Sequence, residues 1–238
     1  MSEQVIIMEK INLSKRLKKA AEFVKKGEPV ADIGSDHAYL PIYLVQNSII
    51  PKAIVGEIVK GPYENAQKTV ATYYLEDKIS IRLGDGLKIL RPEDHLGSIT
   101  ICGMGGVLIA GILEEGLEKN LIADEVRLVL QPNNGEKQLR QLLQANHYRI
   151  IAESILKEKK KIYELIVAEK SHEKVTYTDD ELTFGPFLIK EKSPIFYEKW
   201  ESELAKNQYI LSQLEQTDDK DKMKLIQEKI HQIKKVLL

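Results

Sequence analysis

The sequence holds one cysteine, Cys102, and that scarcity excludes an intrachain disulfide and a multi-cysteine zinc site. Both exclusions fit a reducing compartment. No cluster of histidines and acids has metal-ligand spacing either, so no metal is expected. No apolar run reaches the ~18 residues that a membrane-spanning helix needs. The first nine residues carry two acids, Glu3 and Glu9, and no signal-peptide core, so the expected location is the cytoplasm with no membrane partner. Excess positive charge is also missing. With 35 Lys and Arg against 36 Asp and Glu the net charge is −1, which counts mildly against a dedicated nucleic-acid binder. Placement matters more than the sum, because a phosphate feels charges only within about a Debye length, roughly 8–10 Å.

What is present suffices for one substantial core and a small appendage: 238 residues, 43% of them hydrophobic. Residues 11–26 read as an amphipathic helix, with Leu13, Leu17, Ala20, Ala21 and Val24 on one face and lysines and Arg16 on the rest, ended by Gly27. Strands and helices then alternate. Short apolar runs at 29–33, 53–56, 79–83, 98–102 and 126–130 each stop at a glycine or a polar turn. Helical stretches at 40–45, 61–75, 107–114 and 135–145 fall between or after them. Five strands in this rhythm predict a parallel sheet covered on both faces. Residues 148–156 and 161–168, joined by Lys157–Lys160, must form an antiparallel hairpin, since so short a turn permits nothing else. The fold expected is α/β: a Rossmann-like, mostly parallel seven-stranded sheet.

The C-terminal third differs in kind. Tyr197, Trp200, Leu204, Asn207, Leu211 and Leu214 step by threes and fours, as do Met223, Ile226, Ile230, Ile233 and Leu237, with a polar break at 217–221. This predicts an antiparallel coiled-coil helical hairpin with Asn207 on its seam. The division expected is a catalytic domain over 1–170 and a helical coiled-coil domain over 171–238, free to contact RNA or another protein.

Ligands of open parallel sheets bind at the carboxyl ends of the strands. Asp32-Ile33-Gly34-Ser35-Asp36-His37 follows the first strand, and Gly34 permits a tight turn and close backbone approach. Glu57, followed by Ile58, ends the second strand, where a carboxylate can accept from both hydroxyls of a ribose. Asp85 ends the third strand. It is placed to accept the exocyclic amine of an adenine, with Gly86 leaving room for the ring. Dinucleotide enzymes have no standard use for that third acid. The set is therefore more specific than any member, although each acid alone also reads as an ordinary surface or capping residue.

VADIGSDHAYLPI, VGEIVKGP, RLGDGL, ITICGMGG and LVLQPN, in that order, resemble the bacterial tRNA (adenine-22-N1)-methyltransferase family, from about Leu13 to Glu169. The resemblance implies a class I Rossmann-like methyltransferase fold with a mostly parallel seven-stranded sheet, and that family also carries a coiled-coil C-terminus. The resemblance implies S-adenosylmethionine as donor, S-adenosylhomocysteine as product, and N1 of an adenine in the D-loop region of tRNA as target. The cofactor residues expected are Asp32, Gly34, Ser35, His37, Glu57, Ile58, Asp85, Gly86, Gly103 and Met104.

Adenine N1 has a free lone pair, so its attack on the sulfonium methyl requires alignment and electrostatics rather than a general base. Asp36 is the catalytic candidate, to stabilise the cationic purine or accept from N6; its alternative is a helix cap. The fourth strand ends in Cys102-Gly103-Met104-Gly105-Gly106 instead of the Asp/Asn-Pro-Pro-aromatic motif of many amino methyltransferases. Met104 and Gly105 are thus candidates to face the base, with Gln131 and Asn133 supplying amides or serving as turn residues. His37 is either a bridge to RNA or a structural histidine. Lys15, Arg16, Lys18 and Lys19, and the Lys157–Lys161 turn, are candidate phosphate contacts or a solvated face. Competing readings are a methyltransferase of another RNA, a protein or a small molecule, an NAD-dependent oxidoreductase, and an inert binding module.

Overall fold

The computed structural model describes residues 10–35, 37–214 and 219–238. Seven strands form one sheet in the order β3-β2-β1-β4-β5-β7-β6. They are β1 (Val30–Ile33), β2 (Ala53–Glu57), β3 (Ile79–Leu83), β4 (Ser98–Met104), β5 (Arg127–Pro132), β6 (Tyr148–Glu158) and β7 (Lys161–Lys170). The first five are parallel, and β7 inserts antiparallel between β5 and β6. The strand order reverses between β1 and β4, the switch point at which such sheets bind ligands.

Side chains alternate along each strand, and the alternation divides the core in two. Val30 of β1 and Val55 of β2 join Ala20, Leu40 and Val70 from α1 (Lys15–Phe23), α2 (Tyr39–Gln46) and α3 (Lys60–Thr72) on one face. Ala31 and Ile33 turn to the other, against Ile109 and Leu139 of α4 (Gly106–Glu118) and α5 (Glu136–Ala145). All four side chains of β1 are buried, as expected for a strand covered on both sides.

Several boundaries differ from the sequence expectation, among them the fourth strand, which runs to Met104, and the helix after it, which runs to Glu118. The first helix covers Lys15–Phe23 rather than 11–26, because Ser14 caps it by accepting from the Leu17 N–H and Val24 is already extended. The hairpin turn shrinks to Lys159-Lys160, with Lys159 in the left-handed region, so both strands run longer than periodicity suggests. The fifth strand continues through Pro132, which makes Gln131 a buried strand residue rather than part of a loop.

Beyond β7, α6 (Asp179–Phe184) and α7 (Leu188–Glu191) lead to the long pair α8 (Pro194–Leu214) and α9 (Lys220–Leu237). Phe184, Phe196, Trp200, Ile233 and Val236 pack into a third cluster. Asn207 is buried on the seam and donates to the Glu203 carbonyl of its own helix at 2.6 Å. Below this cluster lies an ionic network. Arg140 of α5 meets Glu153 of β6 at 2.8 Å and Glu164 of β7 at 2.5 Å, and Glu164 also meets Lys199 of α8 at 2.7 Å.

Candidate active site

A cleft of about 490 Å³ opens at the carboxyl ends of β1 and β4. Asp32 lines it from β1, Gly34, Ser35 and His37 from the loop that follows, and Cys102, Gly103 and Met104 from the end of β4. The third wall is the start of α1, with Asn12, Ser14 and Arg16.

Asp32 is buried, and the parallel register places it opposite Thr100 of β4, whose Oγ1 donates to Asp32 Oδ1 at 2.5 Å. Burial pushes the Asp32 pKa above the ordinary carboxylate value. The Ser35 and Thr100 hydroxyls and the Arg16 charge act in the opposite direction without overcoming it. Cys102 is half-buried in overall exposure, and burial with the Asp32 charge pushes its thiol pKa up, so it stays a protonated packing group.

Gly34 has φ +68, and a Cβ there would fall 1.9 Å from the Met104 methyl. The backbone of the first loop and the Met104 side chain thus meet across the cleft floor. Of the glycine pair after Met104, Gly106 makes a backbone contact. A Cβ on Gly106 would sit 2.3 Å from the Gly135 carbonyl oxygen, and the Gly106 N–H donates to the Asn134 carbonyl at 2.7 Å. Backbone therefore touches backbone between the start of α4 and the loop after β5.

Gln131 and Asn133 support that arrangement. Asn133 Nδ2 donates to the Gly103 carbonyl at 2.6 Å, and its backbone N–H to the Met104 carbonyl at 2.7 Å. Gln131 Nε2 donates to the Pro132 carbonyl, while its Oε1 accepts from Arg16 Nη1 at 2.8 Å. Arg16 thus turns inward, with its guanidinium beside Gly103, whereas Lys15 and Lys18 of the same helix are exposed. Lys19 pairs with Glu22 at 2.6 Å.

Glu57 is buried at the end of β2, beside the exposed Ile58. Asp85 follows β3 and is exposed, with its carboxylate 2.7 Å from Lys88 Nζ; Gly86 has φ +53. The His37 ring stacks on Tyr39 at 5.2 Å between centroids, and both residues line the cleft. Asp36 lies outside the described residues. Sequence reasoning missed Thr100 and the inward course of Arg16. Thr100 had a usable signal, a hydroxyl within the apolar run of β4, but its partner depends on register. The direction of Arg16 had none among so many lysines.

A model of the tRNA (adenine(22)-N(1))-methyltransferase family matches residues 30–235. The chain belongs to that family. The tRNA (adenine(22)-N(1))-methyltransferase of Bacillus subtilis (strain 168) is 42% identical over 238 residues, spanning 97% of this chain and 99% of the relative. The structure of Streptococcus pneumoniae Sp1610 in complex with S-adenosyl-L-methionine superposes with a TM-score of 0.87 at 45% identity, covering 95% and 100% of the two chains. That of the M. capricolum family member with S-adenosyl-homocysteine gives 0.82 at 30%, covering 94% and 97%. The family's sheet and helical C-terminus are those described above. None of the helices among the described residues is long and apolar enough to cross a membrane, and none of their His, Cys, Asp and Glu residues form a group that could hold a metal.

Proposed function

We propose that this family member methylates N1 of an adenine in tRNA, at position 22 of the D-loop region, with S-adenosylmethionine as donor. The observation that carries the assignment is the pair of buried acids, Asp32 and Glu57, ending adjacent strands beside the close approach at Gly34. A cleft with a glycine cradle and a carboxylate one strand away fits a nucleoside cofactor.

The cofactor, when bound, supplies an electrophilic methyl on a sulfonium. Glu57 accepts from the ribose hydroxyls. Asp85 turns from Lys88 toward the adenine amine, and Gly86 and Ile58 flank the ring. Asp32, Gly34, Ser35 and His37 line the path to the reacting centre, with Gly103 and Met104 opposite. Asn133 fixes the Gly103–Met104 backbone while Gln131 holds Arg16 beside it, and together they shape the wall that Gly105 and Met104 present to the target base. Asp36 stabilises the positive charge that develops on the purine as N1 attacks. The pocket works by positioning and by charge placed in advance, both suited to a nucleophile that needs no deprotonation. Lys15 and Lys18 face the polyanion from outside, and Lys19 joins them when it leaves Glu22. The target base must leave its stack to enter. Residues 171–238 form an arm that extends the surface available to a large partner.

The test is incubation of the full chain with radiolabelled S-adenosylmethionine and unmodified tRNA, followed by nucleoside analysis. Label in 1-methyladenosine is the expected result. Label in another nucleoside, or none in tRNA despite cofactor binding, would overturn the substrate assignment.

A further inference from the structure

The β6–β7 hairpin reaches well past the rest of the sheet. Its last rung with β5 joins Leu130 to Ile166, whereas pairing between β6 and β7 continues to Glu158 and Lys161. Five residues separate Ile166 from Lys161, so at ~3.4 Å per residue the turn stands about 17 Å beyond that rung. Because β7 opposes β5, the overhang lies on the carboxyl-terminal side of the parallel strands, the side of the cleft.

The start of α1 abuts the overhang, with the Lys15 N–H donating to Glu158 Oε1 at 2.6 Å. Between them runs a groove of about 800 Å³ lined by Ser14, Glu158, Lys159, Lys160, Lys161 and Tyr163. Ser14 also lines the cleft, and Arg16 within the cleft sits 5.9 Å from the centre of the Tyr163 ring. The two hollows adjoin.

Charge then selects the occupant. Lys159, Lys160 and Lys161 are exposed, and none has an ion-pair partner among the described residues. Lys157 is tied to Glu198, and the Glu158 carboxylate is engaged by the helix start. A chain of net charge −1 therefore gathers three cations against one carboxylate at one turn beside its cleft. We propose that this groove is an RNA-backbone site, in which phosphates next to the target adenosine lie against Lys159, Lys160 and Lys161. The inference rests on the tRNA reading above. It adds a bipartite grip: the hairpin holds the strand while the neighbouring cleft receives the base.

The experiment measures affinity of the full chain for an unmodified tRNA transcript across a salt series, with S-adenosylhomocysteine present. The comparison is a Lys159→Gln/Lys160→Gln/Lys161→Gln variant. Each lost phosphate contact should flatten the slope of log affinity against log salt by about 0.7–0.9, so a change of about 2 is expected. Affinity at low salt should fall on the order of tenfold, and cofactor affinity measured by calorimetry should stay unaltered, which checks the fold. An unchanged slope in a variant that still methylates tRNA overturns the groove and leaves the function standing. A wild-type chain that neither binds nor methylates tRNA overturns the underlying reading and the groove with it. Ultraviolet cross-linking gives a second readout: an RNA adduct on residues 157–163 is expected, and adducts confined to other segments overturn the assignment.

Discussion

Thr100 Oγ1 lies 2.5 Å from Asp32 Oδ1, across the rung that joins β1 to β4. This contact holds a buried carboxylate at the floor of the cleft that solvent no longer stabilises. Burial raises its pKa, so the folded state binds the proton more tightly than the unfolded chain does. The contribution of Asp32 to stability is therefore present at acid pH and declines as pH rises from the unfolded value of 3.8 through the folded one.

Asp32→Asn should accordingly raise the denaturation midpoint at neutral pH, because the amide oxygen still accepts from Thr100 and no buried charge remains. Cofactor affinity should fall by about tenfold or more, as for loss of a charged hydrogen-bond partner. Urea denaturation and calorimetry measure the two effects. A variant both less stable and equally good at binding would contradict the account.

Thr100→Val keeps the shape of the side chain and removes the donor. Leaving the Asp32 oxygen without it should cost about 1–3 kcal/mol of stability. The loss should shrink as pH falls and Asp32 takes up a proton. Chemical denaturation at several pH values distinguishes this from a packing defect, which would be independent of pH.

Glu57→Ala and Asp85→Ala should each weaken S-adenosylhomocysteine binding by about tenfold to a hundredfold. Asp85→Ala also frees Lys88, which retains Glu115 at 2.9 Å, so its fold should survive. Unchanged affinity in both variants would remove the cofactor assignment.

Asp36→Ala should lower turnover on the order of a hundredfold with cofactor affinity nearly unaltered, the signature of an electrostatic role in the reaction. Single-turnover kinetics beside calorimetry separates the two. If turnover is preserved, Asp36 is a cap.

The sheet and its outer strands were legible because apolar runs, glycines and turn lengths are local signals. Tyr148–Glu158 and Lys161–Lys170 could be read as a hairpin from the few residues between them. The acids at strand ends were legible for the same reason, since each lies within two residues of the end of its strand. What sequence concealed depends on distant partners. Arg16 lay among lysines of identical periodicity, and only the fold shows that its guanidinium meets Gln131, 115 residues away. Arg140 falls in the helical stretch 135–145 with nothing in the sequence to set it apart, yet it is fully buried between Glu153 and Glu164. Charge alone could not announce this, because burial is decided by elements that arrive later in the chain.

That network yields a further prediction. Arg140→Met leaves two carboxylates buried without their shared cation and should cost about 3–5 kcal/mol. Lys199→Met should cost less, because Glu164 keeps Arg140, but it removes a tie between α8 and β7. Chemical denaturation orders the two variants, and the reverse order would contradict this reading.

The place of β7 between β5 and β6 bears on how the chain folds as it is synthesised. When β5 has left the ribosome its outer edge has no neighbour, and the strand that will cover it lies about thirty residues further on, after β6 has been made and turned back. For that interval an apolar strand edge faces the cell, the condition under which nascent chains pair with the wrong partner. A ribosome stalled when the emerged chain ends between residues 133 and 160 should therefore hold an aggregation-prone intermediate, and one stalled after Lys170 has emerged should not. The hairpin that completes the sheet also ends the hazard.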